Sequence, residues 1–153
     1  MKQRFYIDTS VFGGVFDDEF ETETKLLFKR VYQGEIICVY SNLTESELSN
    51  APAKVREFFE GIPSNLKEKV TVTSDALLLA ETYVNEKVVG ETSLDDCIHI
   101  ATATINKVDL LVSWNFKHIV NVYRIRGYNS INLRLGYPSL NIHSPKEIVG
   151  YED

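Results

Sequence analysis

The chain has only two cysteines, four prolines, one tryptophan and one methionine in 153 residues. Cys38 and Cys97 are isolated, too few for a disulfide framework, so reduced thiols and a cytoplasmic home are expected. No run of eighteen apolar residues occurs, so no membrane span is expected. The first carboxylate arrives at Asp8, too soon for the apolar stretch of a signal peptide. There is no Gly-x-Gly-x-x-Gly, and no Lys-Ser/Thr follows Gly13-Gly14, which excludes a dinucleotide fingerprint and a phosphate loop. Nor is the chain basic: its net charge is −6, which argues against a simple basic nucleic-acid binder.

What is present is ordinary globular composition, 44% hydrophobic and 25% charged, enough to build one core. No repeat, low-complexity tract or long linker divides residues 1–153, so a single domain is expected. The charge is unevenly spread. Acids crowd Asp17 to Glu23, whereas none lies between Asp109 and Glu147. That acid-free interval carries Lys117, Arg124, Arg126, Arg134 and Lys146 among Trp114, Phe116, Tyr123, Tyr128 and Tyr137. Such a segment suits phosphates and bases, with Lys117, Arg124 and Arg126 as candidate contacts. It equally suits solvated arginines over core tyrosines.

The strongest local signal is Arg4 to Phe12, RFYIDTSVF. Phe5-Tyr6-Ile7 reads as a buried strand, cut off by Asp8, with Gly13-Gly14 read as a turn. A helix is expected over Glu21–Gln33, with Leu26, Leu27 and Val31 at helical spacing and Gly34 as its stop. Further strands are expected at Ile36–Tyr40, Val70–Thr73, Asp109–Ser113 and Leu140–His143. Helices are expected at Asn42–Asn50, Pro52–Glu60, Ser74–Lys87 with Leu78 facing inward, Ser93–Lys107 and Phe116–Arg126. Gly127 then ends or bends the last of these. Ser144-Pro145-Lys146-Glu147 reads as the start of a final turn. Strands alternating with helices imply a mainly parallel sheet covered on both faces.

Four residues stand out: Asp8 and Asn115 just after buried strands, Glu47 and Asp96 near helix starts. A carboxylate at a strand exit is costly unless something pairs with it, and strand exits are where open α/β sheets bind ligands. Three carboxylates and an amide at one sheet edge would suit Mg²⁺ or Mn²⁺. A second reading stands beside this one. Thr44-x-x-Glu47 and Ser93-x-x-Asp96 both fit capping boxes, so each acid could serve only its own helix. Glu45 and Asp95 compete with their neighbours for the same role. His99 follows Asp96 by three residues, on a neighbouring helix face, and is either a contact to the site or a structural histidine. Ser10 is positioned to bond Asp8 or to close the turn.

The stretches FYIDTSVF, SNLTESEL, DDCIHIATA and LLVSWNFKHI resemble the four motif blocks of PIN-domain proteins, a family that includes toxin ribonucleases of VapBC-type toxin–antitoxin pairs. The blocks span residues 4 to 119 in the family's order. The resemblance implies a three-layer α/β/α sandwich with a mainly parallel central sheet, and Mg²⁺- or Mn²⁺-dependent hydrolysis of RNA phosphodiester bonds. It puts the family's acids on Asp8, Glu47 and Asp96. Ser113 and Asn115 fall where the family usually has Thr or Ser and then Asp. The neutral Asn115 departs from that pattern and removes one charge, for which Asp95, beside the matched Asp96, is the candidate replacement. The resemblance also implies an antitoxin partner and often a homodimer; Tyr32, Tyr40, Phe58, Phe59 and Tyr83 look like more aromatics than one core hides. An alternative is a non-catalytic RNA-binding or regulatory PIN-like domain with a weakened metal site. A phosphoaspartyl hydrolase fits less well, since it wants an acid where Ser10 stands.

Overall fold

In the computed structural model, which describes residues 2–90 and 93–150, Gln3–Ile7 forms β1, the middle strand of a five-stranded sheet. On one side lie β2 (Ile36–Ser41) and β3 (Lys67–Val70). On the other lie β4 (Leu110–Val112) and β5 (Ile142–His143). All four pairings are parallel; Phe5 sits between Cys38 and Leu110, and Ile7 beside Val112. The chain builds outward from β1 to β3, then crosses to β4. The strand order therefore switches between β1 and β4, where open α/β sheets present a crevice.

Parallel strands need crossovers. These are α1 (Thr9–Gly14), α2 (Glu21–Tyr32), α3 (Asn42–Ser49), α4 (Ala53–Gly61), α5 (Ser74–Asn85), α6 (Leu94–Ile105), α7 (Val122–Arg134) and α8 (Pro145–Val149). Alternation along β1 sends Tyr6 to one face and Phe5 and Ile7 to the other. Tyr6 packs with Val39, Leu111 and the α5–α7 residues Leu79, Tyr83, Ile100 and Tyr128. Phe5 and Ile7 pack with Cys38, Val112 and the α1, α2 and α4 residues Phe12, Leu27, Phe28 and Phe59. Helices thus cover both faces, and the expected three-layer α/β/α sandwich is what forms.

Several boundaries differ from the sequence reading, each for a physical reason. Gly13-Gly14 is not a turn but the end of α1. A Cβ on Gly14 would lie 2.7 Å from Thr24 Oγ1 and 2.8 Å from Trp114 Nε1, so close packing rather than a bend requires glycine. The helix expected at Phe116–Arg126 starts instead at Val122, where Asn121 accepts from Tyr123 and Arg124 backbone N–H groups. It runs through Gly127, whose missing Cβ lets Val88 approach. The third strand lies at Lys67–Val70, before the expected Val70–Thr73, and Thr73, not Ser74, caps α5. Leu78 faces solvent at 61% exposure and Leu26 at 46%, while Ala76, Leu79, Ala80 and Tyr83 make the buried stripe of α5.

Both proposed capping boxes are absent. Ser41 and Thr44 form the box at α3, and Ser93 makes no side-chain cap for α6. The capping role therefore does not account for Glu47 or Asp96. The box at Ser144 and Glu147 does form. The aromatic surplus also dissolves: Phe59 and Tyr83 are buried, Tyr40 and Phe58 pack against the core, and of the five only Tyr32 is exposed. The expected homodimer loses that support. Cys38 and Cys97 are both buried free thiols, each pushed up to about 12 by burial. No helix among the described residues is long and apolar enough to cross a membrane.

Candidate metal centre

The exits of β1 and β4 lie side by side. Asp8 follows β1 directly, and its backbone N–H donates to Val112 O at 2.9 Å. The residue is 6% exposed. Ser10 Oγ and Ser113 Oγ donate to the same oxygen, Oδ2, at 2.7 and 2.8 Å. Each hydroxyl also accepts a backbone N–H from the β4 exit, Trp114 to Ser10 at 3.1 Å and Asn115 to Ser113 at 2.9 Å. The two serines therefore lock the acid to the neighbouring strand end. Ser10 and Ser113, both named above as candidate site residues, are the two side chains that donate to Asp8.

Glu47 comes from the second turn of α3 and His99 from α6. Glu47 Oε1 accepts from Thr9 Oγ1 at 2.5 Å and lies 2.6 Å from His99 Nε2. His99 Nε2 is also 3.9 Å from Asp8 Oδ1. Its other nitrogen, Nδ1, is 2.6 Å from Tyr6 Oη, which is 2.8 Å from Ser41 Oγ. Burial opposes a charge on His99, but Tyr6, the hydrogen bond to Glu47 and the carboxylates outweigh it and raise its pKa to about 10. Burial likewise raises Glu47, yet His99 and Thr9 bring it below the usual carboxylate range. The neighbouring carboxylates thus favour the charged form of the His99 ring, and the ring in turn favours the ionised form of Glu47.

Asp96, in the first turn of α6, is half-buried. Asn115 Nδ2 donates to its Oδ2 at 3.2 Å, while Asn115 Oδ1 accepts from His118 N at 3.0 Å. Burial and then the charge of Asp8 push Asp96 up to about 6, against the pull of His99 and Asn115. A carboxylate raised by burial and by a neighbouring acid marks a candidate functional site.

Asp8, Glu47, Asp96 and Asn115 converge, then, from four separate segments. The tightest group, however, is Asp8, Glu47 and His99, with one ligand atom from each lying within 4.8 Å of the others. A six-coordinate cation with bonds of about 2.1 Å sets adjacent ligand atoms about 3.0 Å and opposite ones about 4.2 Å apart; His99 Nε2 and Asp8 Oδ1, 3.9 Å apart, lie within that span, and the 2.6 Å pair of Nε2 with Glu47 Oε1 would open to admit the ion. The donors are hard oxygens and one borderline nitrogen, within the range of Mg²⁺ and Mn²⁺ chemistry. Asp95 is exposed and makes none of these contacts. Lys117 and Arg126 are exposed, whereas the Arg124 guanidinium is committed to the Val88 carbonyl. Thr9 and Tyr6 escaped the sequence reading. Thr9 sat in an assumed turn, and Tyr6 looked like any core aromatic.

No protein-family model and no curated protein sequence matches the chain. Solved structures do. A chain of VapBC2 from Rickettsia felis bound to a promoter DNA fragment is 13% identical, with a TM-score of 0.56 over 93% of this chain and 98% of that one. A chain of DNA-bound VapBC from Salmonella typhimurium is 14% identical, with a TM-score of 0.52 over 95% and 99%. A chain of a toxin–antitoxin complex from Klebsiella pneumoniae is 16% identical, with a TM-score of 0.51 over 76% and 88%. With its all-parallel sheet between two helical layers, the chain has the PIN-domain fold seen in VapBC toxin–antitoxin structures.

Proposed function

We propose that the chain is a metal-dependent endoribonuclease, the toxin of a toxin–antitoxin pair, with Asp8, Glu47 and Asp96 holding Mg²⁺ or Mn²⁺. The observation that carries this reading is the convergence of Asp8, Glu47, His99 and Asp96 at the β1–β4 switch point of a PIN fold. Such an ion, when bound, activates a water and neutralises the phosphodiester. The chain's own groups prepare for it. Ser10 and Ser113 fix Asp8, Thr9 fixes Glu47, and Asn115 orients Asp96 with its amide. Lys117 and Phe116, next along the chain and both exposed, are the nearest candidates for RNA contact. Arg126 is a weaker one, and Arg124 serves Val88 instead. The matched structures are toxin–antitoxin complexes, which supports an antitoxin protein as the natural partner.

Incubation with RNA in Mg²⁺ or Mn²⁺, with and without chelator, tests the activity. Cleavage that needs the metal and disappears in Asp8→Asn, with the fold retained, is the expected result. The second reading, a non-catalytic RNA-binding or regulatory domain, draws on the neutral Asn115. RNA binding without cleavage at any metal concentration would decide for it.

A further inference from the structure

His99 is among the least exposed polar side chains of the protein, at 1%, and the folding of three elements aims it. α6 supplies the ring, β1 holds its Nδ1 edge through Tyr6, and α3 brings Glu47 to its Nε2 edge. A histidine that merely satisfies one buried acid needs one carboxylate. Here Nε2 faces two, Glu47 at 2.6 Å and Asp8 at 3.9 Å, both attached to other elements.

The Nδ1 side is equally specific. Tyr6 Oη lies between His99 Nδ1 and Ser41 Oγ, at 2.6 and 2.8 Å. If the phenol donates to Ser41, its oxygen accepts from Nδ1–H. That chain of bonds keeps the proton on Nδ1, so when a cation displaces the Nε2 proton now shared with Glu47, the Nε2 lone pair faces it between the two acids. Ligating histidines characteristically have their other N–H held in this way by an outer partner. Imidazole nitrogen suits the later transition ions best and is accepted by Mn²⁺, the first of that series, more readily than by Mg²⁺, which favours oxygen.

We propose that His99 Nε2 is a metal ligand alongside Asp8 and Glu47, adding one imidazole to the carboxylate set and giving a centre that prefers Mn²⁺ to Mg²⁺. Asp96, paired with Asn115, keeps its place on the oxygen side of the same ion. The inference rests on the metal-dependent reading above and deepens it from an all-oxygen set to one with nitrogen.

The test uses the intact protein with each metal alone. Calorimetric titration is expected to give Mn²⁺ a dissociation constant about tenfold or more below that of Mg²⁺. Electron spin-echo modulation of bound Mn²⁺ is expected to show one directly coordinated nitrogen. In His99→Gln that nitrogen signal vanishes and the Mn²⁺-to-Mg²⁺ preference shrinks toward unity. In Tyr6→Phe, which leaves the ring but removes its outer partner, Mn²⁺ affinity falls about 10–100-fold while the nitrogen signal persists. Should His99→Gln fail to fold, the spin-echo spectrum of the parent still decides. Mn²⁺ bound without a nitrogen signal overturns His99 ligation but leaves the nuclease reading standing. Failure to bind either ion at millimolar concentration overturns both.

Discussion

Asn115 bridges two jobs: its amide nitrogen donates to Asp96 at 3.2 Å while its carbonyl oxygen accepts the backbone N–H of His118 at 3.0 Å. The oxygen's role is fixed by its partner, since a backbone N–H can only donate, and this leaves the NH₂ group for Asp96. Closing the turn after β4 and contacting the site are therefore compatible roles for this residue. One side chain does both.

Replacing Asn115 by Asp keeps the bond from His118 N and reverses the site contact. The new carboxylate would face Asp96, already raised to about 6 by burial and Asp8. Without metal, like charges oppose ionisation, so Asn115→Asp should lower the melting temperature at neutral pH. With metal, an added anionic oxygen should strengthen binding. The expected outcome is a lower starting stability and a lower Mn²⁺ concentration for half-maximal stabilisation, read by melting curves across a Mn²⁺ titration. Titrations that overlay the parent's would remove Asn115 from the site.

The strand exits were legible because burial and charge conflict there. Phe5-Tyr6-Ile7 and Leu110-Leu111-Val112 each run apolar and end on a polar residue, which marked Asp8, Ser113 and Asn115. Glu47 and Asp96 were legible only through the PIN resemblance, because their spacing equally fitted capping boxes that do not form. His99 was hidden by its helix. From Cys97 to Thr104 every residue of α6 is buried, so no amphipathic stripe singles out the imidazole. Its partners, Tyr6 and Glu47, lie far away in sequence and meet it only once the sheet has formed. The glycines misled for a related reason. Gly14 and Gly127 weaken helices on propensity, yet both sit in helices where neighbouring side chains need the space of a Cβ.

Gly14→Ala tests that packing. The added methyl would press on Thr24 Oγ1 and Trp114 Nε1, which hydrogen-bond each other at 2.9 Å. Overpacking of this kind costs about 1–3 kcal/mol, and the helix propensity of Ala offsets only part of it. The urea midpoint should fall with an unchanged slope. Gly13→Ala, where a Cβ meets nothing within 4 Å, should be neutral or slightly stabilising. Equal effects at the two positions would contradict the close approach.

The imidazolium at His99 predicts a pH dependence for the metal-free protein. Unfolded, the ring loses its proton near the usual 6.5; folded, it holds the proton up to about 10. The stabilisation is therefore complete below pH 6.5 and drains away as pH rises through 10. In chelator, the melting temperature of the parent should decline across that window, and the decline should be flatter in His99→Gln. Parallel pH profiles for the two proteins would show that the ring is neutral in the fold.

Phe116 offers the last test, on RNA contact. Its ring is 49% exposed, immediately after Asn115, and is backed by Trp114 at 6.0 Å and Phe20 at 6.4 Å. Trp114 and Phe20 stack on each other at 4.1 Å, so Phe116 rests on a rigid aromatic base. It also lines a cleft with Ser144, Lys146, Glu147 and Gly150, at the far end of the acid-free interval. An exposed ring so supported can stack a nucleotide base, worth about 1–3 kcal/mol in comparable single-strand sites. In an Asp8→Asn background that prevents cleavage, Phe116→Ala should weaken single-stranded RNA binding about tenfold by fluorescence anisotropy. Phe116→Trp should retain it. Folding stability should change far less than for a core phenylalanine, by about 1 kcal/mol or less, because about half of the residue is exposed. Lys117→Ala should instead reduce the salt dependence of binding, lowering the slope by about 0.7, as loss of one phosphate contact to a single strand does. Undiminished binding in Phe116→Ala would move the RNA path away from this edge of the sheet.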